Sequence, residues 1–198
     1  MITLQIILLL IAYLIGSIPF SFIIARTVKG VDLRYIGEGN VGARNVWHVV
    51  GKGWGILAGI LDFSKGLFVF LIIHLISDSI FLLWLGGIFV VIGHGFPLFL
   101  KGLGGKGAAT ATGFLFGMYP LLVICSSLLT LVIFLLSKNF HVALTLGMSS
   151  FVILGLPLAG KKLEEIAVVT GFLLLLGLKR IIDQPHMKRI TEESGWEQ

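Results

Sequence analysis

The residues from Ala108 to Leu136, AATATGFLFGMYPLLVICSSLLTLVIFLL, form an uncharged, mostly apolar run of 29 residues. A helix that crosses a bilayer needs about 20 residues, so the run is long for one span and short for two. It contains Gly117-Met118-Tyr119-Pro120, and a proline interrupts a helix. This stretch decides the helix count, because one span and a hairpin place the rest of the chain on opposite sides of a membrane.

The basic residues favour the hairpin. Cytoplasmic loops of membrane proteins are enriched in Lys and Arg. If residues 108–136 double back, twelve of the fifteen basic residues become cytoplasmic, whereas a single crossing leaves nine there. We therefore expect two short helices, at 108–118 and 120–137. Short helices are tolerated where one of them is packed inside a bundle.

The composition of the chain is that of a membrane protein. Of its 198 residues, 57% are hydrophobic and 13% are charged, and the mean hydropathy is +1.03. A soluble domain would need a more polar surface. We expect one all-α integral membrane domain over residues 1–198, a seven-helix bundle with its N-terminus outside and its C-terminus in the cytoplasm. The predicted spans are 3–25, 54–76, 79–100, 108–118, 120–137, 140–158 and 163–180.

The net charge indicates which classes of partner the chain binds, and the cysteine count bears on disulfide bonds. Fifteen Lys and Arg against ten Asp and Glu give a net charge of +5, which we interpret as membrane topology and anionic partners, including membrane lipids, rather than nucleic-acid binding. The single cysteine, Cys125, excludes an intrachain disulfide framework. The N-terminus lacks a basic segment and a cleavage site, so the first apolar run should remain as a helix. The sequence gives no indication of the oligomeric state.

Polar residues inside the predicted spans are functional candidates. Pro19 should kink the first span, and Ser17 and Ser21 either fill the freed backbone hydrogen bonds or reach a ligand. Asp62 and Lys65 are three residues apart on one helical face and can pair. Ionisable groups at such depth are candidate substrate contacts, although a purely structural ion pair is nearly as well supported.

The loop before the apolar run, Gly102-Leu-Gly-Gly-Lys-Gly107, predicts an anion site. Glycines allow a ligand to approach the backbone, the amides that open the next helix point at it, and Lys106 adds a full charge. Glycine packing alone does not call for the lysine. A dinucleotide fingerprint also matches, but no soluble βαβ unit surrounds it, and a Walker loop needs Ser or Thr where Gly107 stands. The candidate substrate contacts here are Gly102, Gly104, Gly105, Gly107 and Thr110.

A second glycine-rich segment lies within the polar stretch 26–52. It reads Gly37-Glu38-Gly39-Asn40-Val41-Gly42-Ala43-Arg44-Asn45. Two such loops suggest two anionic groups, and the alternative is an ordinary charged cytoplasmic loop. The candidate substrate contacts are Gly37, Gly39, Asn40, Gly42 and Arg44, with Asn45 as a candidate catalytic group.

Histidines supply candidate proton acceptors. His94 lies close in sequence to Lys106, and a catalytic role and a packing role are equally supported. His186 lies in the basic C-terminal tail together with Arg189. Basic residues after a span usually anchor anionic lipid, and Arg189 is also a candidate substrate contact.

Several motifs carry a resemblance. They are Val31-Asp32-Leu33-Arg34 with Gly37-x-Gly39-Asn40-Val41-Gly42-Ala43-x-Asn45, Leu61-Asp62-Phe63-x-Lys65-Gly66, Gly93-His94-x-Phe96-Pro97 and Gly104-Gly105-Lys106-Gly107-x-Ala109-Thr110. In order and spacing the first 115 residues or so resemble the bacterial acyl-phosphate:glycerol-3-phosphate acyltransferase family. The resemblance implies a seven-helix enzyme of the bacterial inner membrane with its active site at the cytoplasmic face. It implies transfer of a fatty acyl group from acyl phosphate to the 1-hydroxyl of glycerol 3-phosphate, giving lysophosphatidic acid, with no metal and no cofactor.

The chain departs from the family pattern at four places. The usual Ser before Gly39 is Glu38, and the usual Thr before Asn45 is Arg44. An expected serine aligns with His141. Of the closing pattern, Arg-His-Arg-x-Asn-Ile-x-Arg, only Arg189 is kept. A weakly active or non-catalytic paralogue that binds lipid is therefore an alternative.

The residues of the two glycine loops are suited to acyl transfer from an acyl phosphate. An acyl phosphate has a good leaving group, so an enzyme needs a bound hydroxyl beside the carbonyl and cations on two phosphates, rather than a covalent intermediate. Lys106 and Arg44 are the candidate cations. For proton removal His94 comes first and His186 or His141 second, and the substrate's own phosphate is a further acceptor. A small transporter for an anionic solute is the other alternative, because broken helices and an intramembrane ion pair occur there too.

Overall fold

In the computed structural model, which describes residues 2–196, every regular element is a helix. The α-helices of this part of the chain are α1 (Ile2–Ser17), α2 (Phe20–Lys29), α3 (Ala43–Val49), α4 (Lys52–Ile76), α5 (Ile80–Gly95), α6 (Ala108–Met118), α7 (Pro120–Ser137), α8 (Phe140–Ser150), α9 (Leu156–Leu158) and α10 (Leu163–Glu193). A π-helical turn, Phe151–Gly155, joins α8 to α9, and 3₁₀ turns occur at Leu33–Tyr35 and Leu98–Leu100.

Within residues 2–196, five helical segments are long and apolar enough to cross a membrane. They are Ile2–Lys29, Lys52–Ile76, Ile80–Leu100, Pro120–Ser137 and Phe140–Leu158, and they correspond to five of the predicted spans. The predicted span 108–118 is the shorter apolar helix α6. The predicted span 163–180 is the first part of α10, which carries charged residues at both ends of that segment and continues as a helix to Glu193.

The predicted interruption of the long apolar run is confirmed. Helix α6 ends at Met118 and α7 begins at Pro120, and Tyr119 between them leaves helical geometry at φ −139° and ψ 63°. The short helix α6 is packed inside the bundle, because a Cβ added at Gly113 would meet the Phe63 carbonyl of α4. Small residues allow this close backbone approach between membrane helices.

Aromatic side chains fill the centre of the bundle. Phe114 of α6 is fully buried, and its ring centroid lies 5.8 Å from that of Phe172 in α10 and 6.2 Å from that of Trp84 in α5. Aromatic pairs prefer such tilted and edge-on arrangements at 4.5–7 Å. The cluster joins α5, α6 and α10.

The first span is broken at Ile18-Pro19, as the proline predicts, but its freed carbonyls find an unexpected partner. The Lys65 Nζ donates to the Gly16 carbonyl at 3.0 Å and to the Ile18 carbonyl at 3.1 Å. The expectation that Ser17 and Ser21 fill these bonds is wrong. Among the described residues the Ser17 Oγ has no hydrogen-bond partner, and the Ser21 Oγ instead contacts Asp62 at 3.5 Å.

The predicted pair between Asp62 and Lys65 is confirmed. The Lys65 Nζ lies 2.9 Å from the Asp62 Oδ1, and both side chains are 3% exposed. One ammonium group therefore forms an ion pair with a buried carboxylate and donates to two backbone carbonyls. A lysine reaches further than a serine and donates three hydrogen bonds, so it closes the gap that the proline opens.

Lys65→Met should destabilise the protein by about 3 kcal/mol or more, because it leaves the buried Asp62 carboxylate without its charged partner and two buried carbonyls without a donor. The measurement is reversible unfolding in mixed detergent micelles. Lys161→Met is the matched control, since Lys161 is a third exposed and pairs with Glu165 at 3.4 Å at the bundle surface. Its loss should cost roughly 1 kcal/mol at most. Equal losses for the two variants would contradict the proposed role of Lys65.

Candidate active site

A cavity of about 560 Å³ opens between the two glycine loops, α8 and α10. Its polar end contains cations from both loops and from α10, together with one carboxamide and one carboxylate of the first loop, and its remaining wall is mostly apolar. The polar end is lined by Glu38, Asn40, Arg44, Lys106 and Arg180, and the apolar wall by Leu144, Met148, Val152, Ile153, Leu173, Leu174 and Leu176. Ligand pockets commonly have volumes of about 300–1,000 Å³ and combine a few placed polar groups with an apolar lining.

The two glycine loops meet at this polar end. The Val41 N–H donates to the Gly104 carbonyl at 3.4 Å, which joins the loops through their backbones. The Glu38 carboxylate lies between their cations. Its Oε1 is 2.9 Å from the Arg44 Nη1, and its Oε2 is 3.8 Å from the Lys106 Nζ. The structure therefore brings together the two cations that the sequence singled out.

Two glycines of the loop that carries Lys106 bond it to the end of α5. The Gly104 N–H donates to the Gly95 carbonyl and the Gly105 N–H to the His94 carbonyl, each at 3.2 Å. A Cβ at Gly104 would collide with the His94 carbonyl, and one at Gly105 with the His94 ring. The prediction that Gly104 and Gly105 contact a substrate is thus corrected, because their amides bond the end of α5 and neither residue lines the cavity. Lys106 and the first turn of α6 after Gly107 still face the cavity.

Lys106 is a partly buried cation among other cations. Burial lowers the pKa of its ammonium group, and the nearby Arg180 and Arg44 lower it further, while the charge of Glu38 raises it. A bound anion would favour the charged form of this lysine. The environment of Lys106 is therefore suited to a negatively charged ligand.

Asn45 braces the first loop instead of facing the cavity. Its fully buried Nδ2 donates to the Leu33, Ile36 and Asn40 carbonyls at 3.1, 3.0 and 2.9 Å. Its Oδ1 accepts from the Glu38 N–H at 3.0 Å. The prediction of a catalytic Asn45 is corrected, since the side chain is fully buried, does not line the cavity and has its amide hydrogens engaged by loop carbonyls.

The glycines of the first loop serve its conformation. Gly37 and Gly39 have φ of +62° and +65°, which favours glycine. A Cβ at Gly37 would collide with Asn45, and one at Gly39 would press on Ile190 of α10. Neither glycine lines the cavity, whereas Gly42 does. Of the predicted loop contacts, Asn40, Gly42 and Arg44 are placed to touch a ligand.

His94 lines the cavity, and its Nδ1 contacts two buried polar side chains. Its side chain is 7% exposed, and its Nδ1 lies 3.5 Å from the Asp62 Oδ1 and 3.3 Å from the Thr110 Oγ1. Asp62 also lines the cavity, while Ser17, Lys65 and Thr110 do not. These three predicted substrate contacts therefore lie in a polar layer behind His94. Gly102 likewise lies away from the cavity, with its N–H bonded to the Pro97 carbonyl at 3.2 Å.

Two predicted residues of the tail lie away from this cavity. The His186 ring bonds the Arg34 carbonyl through its Nε2 at 2.9 Å. Arg189 is exposed and faces Glu193 at 3.8 Å. The cation of α10 that lines the cavity is Arg180, which the sequence analysis counted only among the basic residues that set the topology.

His141 joins the polar end from the start of α8. It lies between two guanidinium groups, with its Nε2 3.3 Å from the Arg44 Nη1 and its Nδ1 3.2 Å from the Arg180 Nη1. Its sequence alignment with a serine gave only a weak indication of this place. Because its ring contacts Arg44, the start of α8 lies on the same side of the bundle as the first loop.

Comparison with known proteins identifies the family. Residues 6–192 match the family described as glycerol-3-phosphate acyltransferase. The chain is 40% identical over 171 residues to the glycerol-3-phosphate acyltransferase of Aquifex aeolicus. This alignment covers 85% of this chain and 88% of the relative. It is 36% identical over 185 residues to a glycerol-3-phosphate acyltransferase of Thermus thermophilus. That alignment covers 93% of this chain and 90% of the relative.

The fold is similar to crystal structures of an integral membrane protein. PlsY (YgiH), an integral membrane glycerol 3-phosphate acyltransferase, superposes in its glycerol 3-phosphate form with a TM-score of 0.82 and 35% identity, over 96% of this chain and 93% of that chain. Its lysophosphatidic acid form gives a TM-score of 0.80 and 34% identity, over the same shares of the two chains. These matches cover both halves of the chain, and they favour an enzyme over the transporter alternative. The chain belongs to the glycerol-3-phosphate acyltransferase family, whose members include integral membrane enzymes.

Proposed function

We propose that this protein transfers a fatty acyl group from acyl phosphate to the 1-hydroxyl of glycerol 3-phosphate, which yields lysophosphatidic acid and phosphate. The family supplies the acyl acceptor, since its members are named for glycerol 3-phosphate. The observation that carries the proposal is the cavity, whose cationic end continues into an apolar wall. An acyl phosphate has the same division into an anionic head and an apolar tail.

The polar end is suited to phosphate groups. Arg44, Lys106 and Arg180 all line it, and an arginine can hold a phosphate through two parallel hydrogen bonds. Negative charge builds up on the leaving phosphate as the anhydride bond breaks. Fixed cations in a cavity shielded from water stabilise that charge strongly. We assign Lys106 and Arg44 to this stabilisation.

The reaction needs one proton transfer. The acceptor hydroxyl oxygen attacks the acyl carbonyl carbon, the bond from that carbon to the phosphate oxygen breaks, and the hydroxyl proton must leave. The Nδ1 of His94 faces Asp62 and Thr110, so its Nε2 is the ring nitrogen left to accept the proton. The departing phosphate is the second acceptor in this scheme.

The contacts at the polar end support the seven-helix topology. Lys106 precedes α6 and His141 follows α7, yet both lie beside Arg44 or its partner Glu38. Helices α6 and α7 thus begin and end on one side, as a hairpin does. His186 of α10 contacts the Arg34 carbonyl on that same side. We place this side in the cytoplasm of a bacterium, with the N-terminus outside, the C-terminus inside and the active site at the cytoplasmic face of the inner membrane.

Cysteine labelling tests this topology. In a Cys125→Ala background, Lys138→Cys and Lys188→Cys should be protected from an impermeant maleimide in intact cells, because both lie on the cytoplasmic side. Lys161→Cys is the matched control and should be labelled, since the α9–α10 turn lies outside in this topology. Labelling of position 138 or 188 from outside would contradict the hairpin.

Lys106→Ala should reduce kcat/KM by roughly a hundredfold or more, because it removes a cation from the leaving phosphate. Lys106→Arg should restore only part of the activity, since the guanidinium group is larger and planar. The assay is lysophosphatidate formation from palmitoyl phosphate and labelled glycerol 3-phosphate. Lys101→Ala, immediately before this loop but exposed and outside the cavity, should stay within a few fold of wild type. An equally active Lys106→Ala enzyme would contradict the assignment.

Leu173→Trp should narrow the apolar wall where the acyl tail lies. We expect turnover of palmitoyl phosphate to fall about tenfold, with a smaller loss for octanoyl phosphate and little change in the KM for glycerol 3-phosphate. Leu121→Trp on α7, which is 70% exposed and outside the cavity, is the control. A loss that is the same for both chain lengths would show that the tail lies elsewhere.

A further inference from the structure

Glu38 occupies the position that a substrate phosphate would need. Its side chain is only 3% exposed, and the carboxylate contacts Arg44 and Lys106 from within the cavity. The Asn40 Nδ2 also donates to its Oε2 at 3.2 Å. The same two cations carry the phosphate in the proposed reaction, so the carboxylate and the phosphate compete for one place.

We infer that Glu38 is an intramolecular competitor, whose carboxylate is displaced by the substrate phosphate and thereby sets which anions enter the site. The inference rests on the proposed function, since it takes Arg44 and Lys106 as the phosphate site. A buried carboxylate is stable only when its charge is compensated, and here the two loop cations compensate it. In the free enzyme Glu38 likewise keeps those cations from being buried without a counter-ion.

The charges of the cavity explain the selectivity. Three cations line it, Arg44, Lys106 and Arg180, against the carboxylates of Glu38 and Asp62. Asp62 is compensated by Lys65, which leaves two positive charges in excess at the polar end. A phosphate monoester carries close to two negative charges at neutral pH. It can displace Glu38, whereas the single charge of a fatty-acid carboxylate offers the cations no more than Glu38 already does.

The chemical consequence concerns the membrane around the enzyme. A free fatty acid has the same apolar tail as an acyl phosphate and could enter the same cavity. Its head differs by being a monoanionic carboxylate. Glu38 therefore discriminates between acyl phosphate and fatty acid at the head group, where the apolar wall cannot.

Glu38→Gln tests the inference, because it removes the charge and keeps the size of the side chain. Calorimetry in detergent should show inorganic phosphate and glycerol 3-phosphate binding about tenfold more tightly than to the wild type. Palmitate should become a competitive inhibitor against palmitoyl phosphate, while the wild-type enzyme resists it. Glu165→Gln removes an equal charge beside Lys161, outside the cavity, and should change neither property.

Further variants keep the test decisive. If Glu38→Gln does not fold, Glu38→Ser carries the same expectations, since serine is usual at this position in the family. In an Arg44→Gln background the gain in phosphate affinity should shrink, because one of the competed cations is gone. Unchanged or weaker phosphate binding would overturn the inference and leave Glu38 as a brace for the cations. Weaker binding of glycerol 3-phosphate alone would also overturn it and indicate a contact to the glycerol hydroxyls.

The two proposals fail in different ways. If the wild-type protein neither binds glycerol 3-phosphate nor forms lysophosphatidate, the proposed function is wrong whatever Glu38 does. If it does both and Glu38→Gln leaves phosphate affinity and palmitate resistance unchanged, only the competitor role is wrong.

Discussion

A helix that breaks inside a membrane must find hydrogen-bond partners for its backbone, and in this protein Lys65 supplies them. Its ammonium group holds the Gly16 and Ile18 carbonyls and pairs with Asp62. Asp62 in turn faces His94, which lines the cavity. The requirement to satisfy the broken first span is thus linked, through three side chains in contact, to the geometry of the candidate active site.

Close packing accounts for more of the glycines than ligand binding does. Gly104 and Gly105 bring their loop against the end of α5, and their amides bond α5 carbonyls. Gly39 makes room for Ile190 of α10. The positive charge of the site therefore comes mainly from side chains. The glycine-rich loop positions Lys106, and its amides bond α5.

The sequence predicted those features that depend on neighbouring residues in the chain. The interruption before Pro120 follows from proline geometry, and the Asp62–Lys65 pair follows from helical spacing. Contacts between distant segments were not accessible in this way. The four hydrogen bonds of Asn45 depend on the folded path of its own loop, and Arg180 reaches the cavity because α10 packs beside α5 and α6. His186, six residues further along α10, is carried about 9 Å along the helix axis and so contacts Arg34 instead.

The departure from the family pattern at Glu38 changes the free state of the site as much as the bound one. Arg44 is about a quarter exposed and Lys106 about a fifth, so neither cation is fully hydrated. With a serine at position 38 both would depend on water or a bound ion until a substrate arrived. A glutamate removes that dependence, and every anion must displace it to reach the two cations. The substrates carry more charge than the carboxylate and can displace it, whereas a monoanionic competitor cannot, so the same residue sets the stability of the empty site and the selectivity of the filled one.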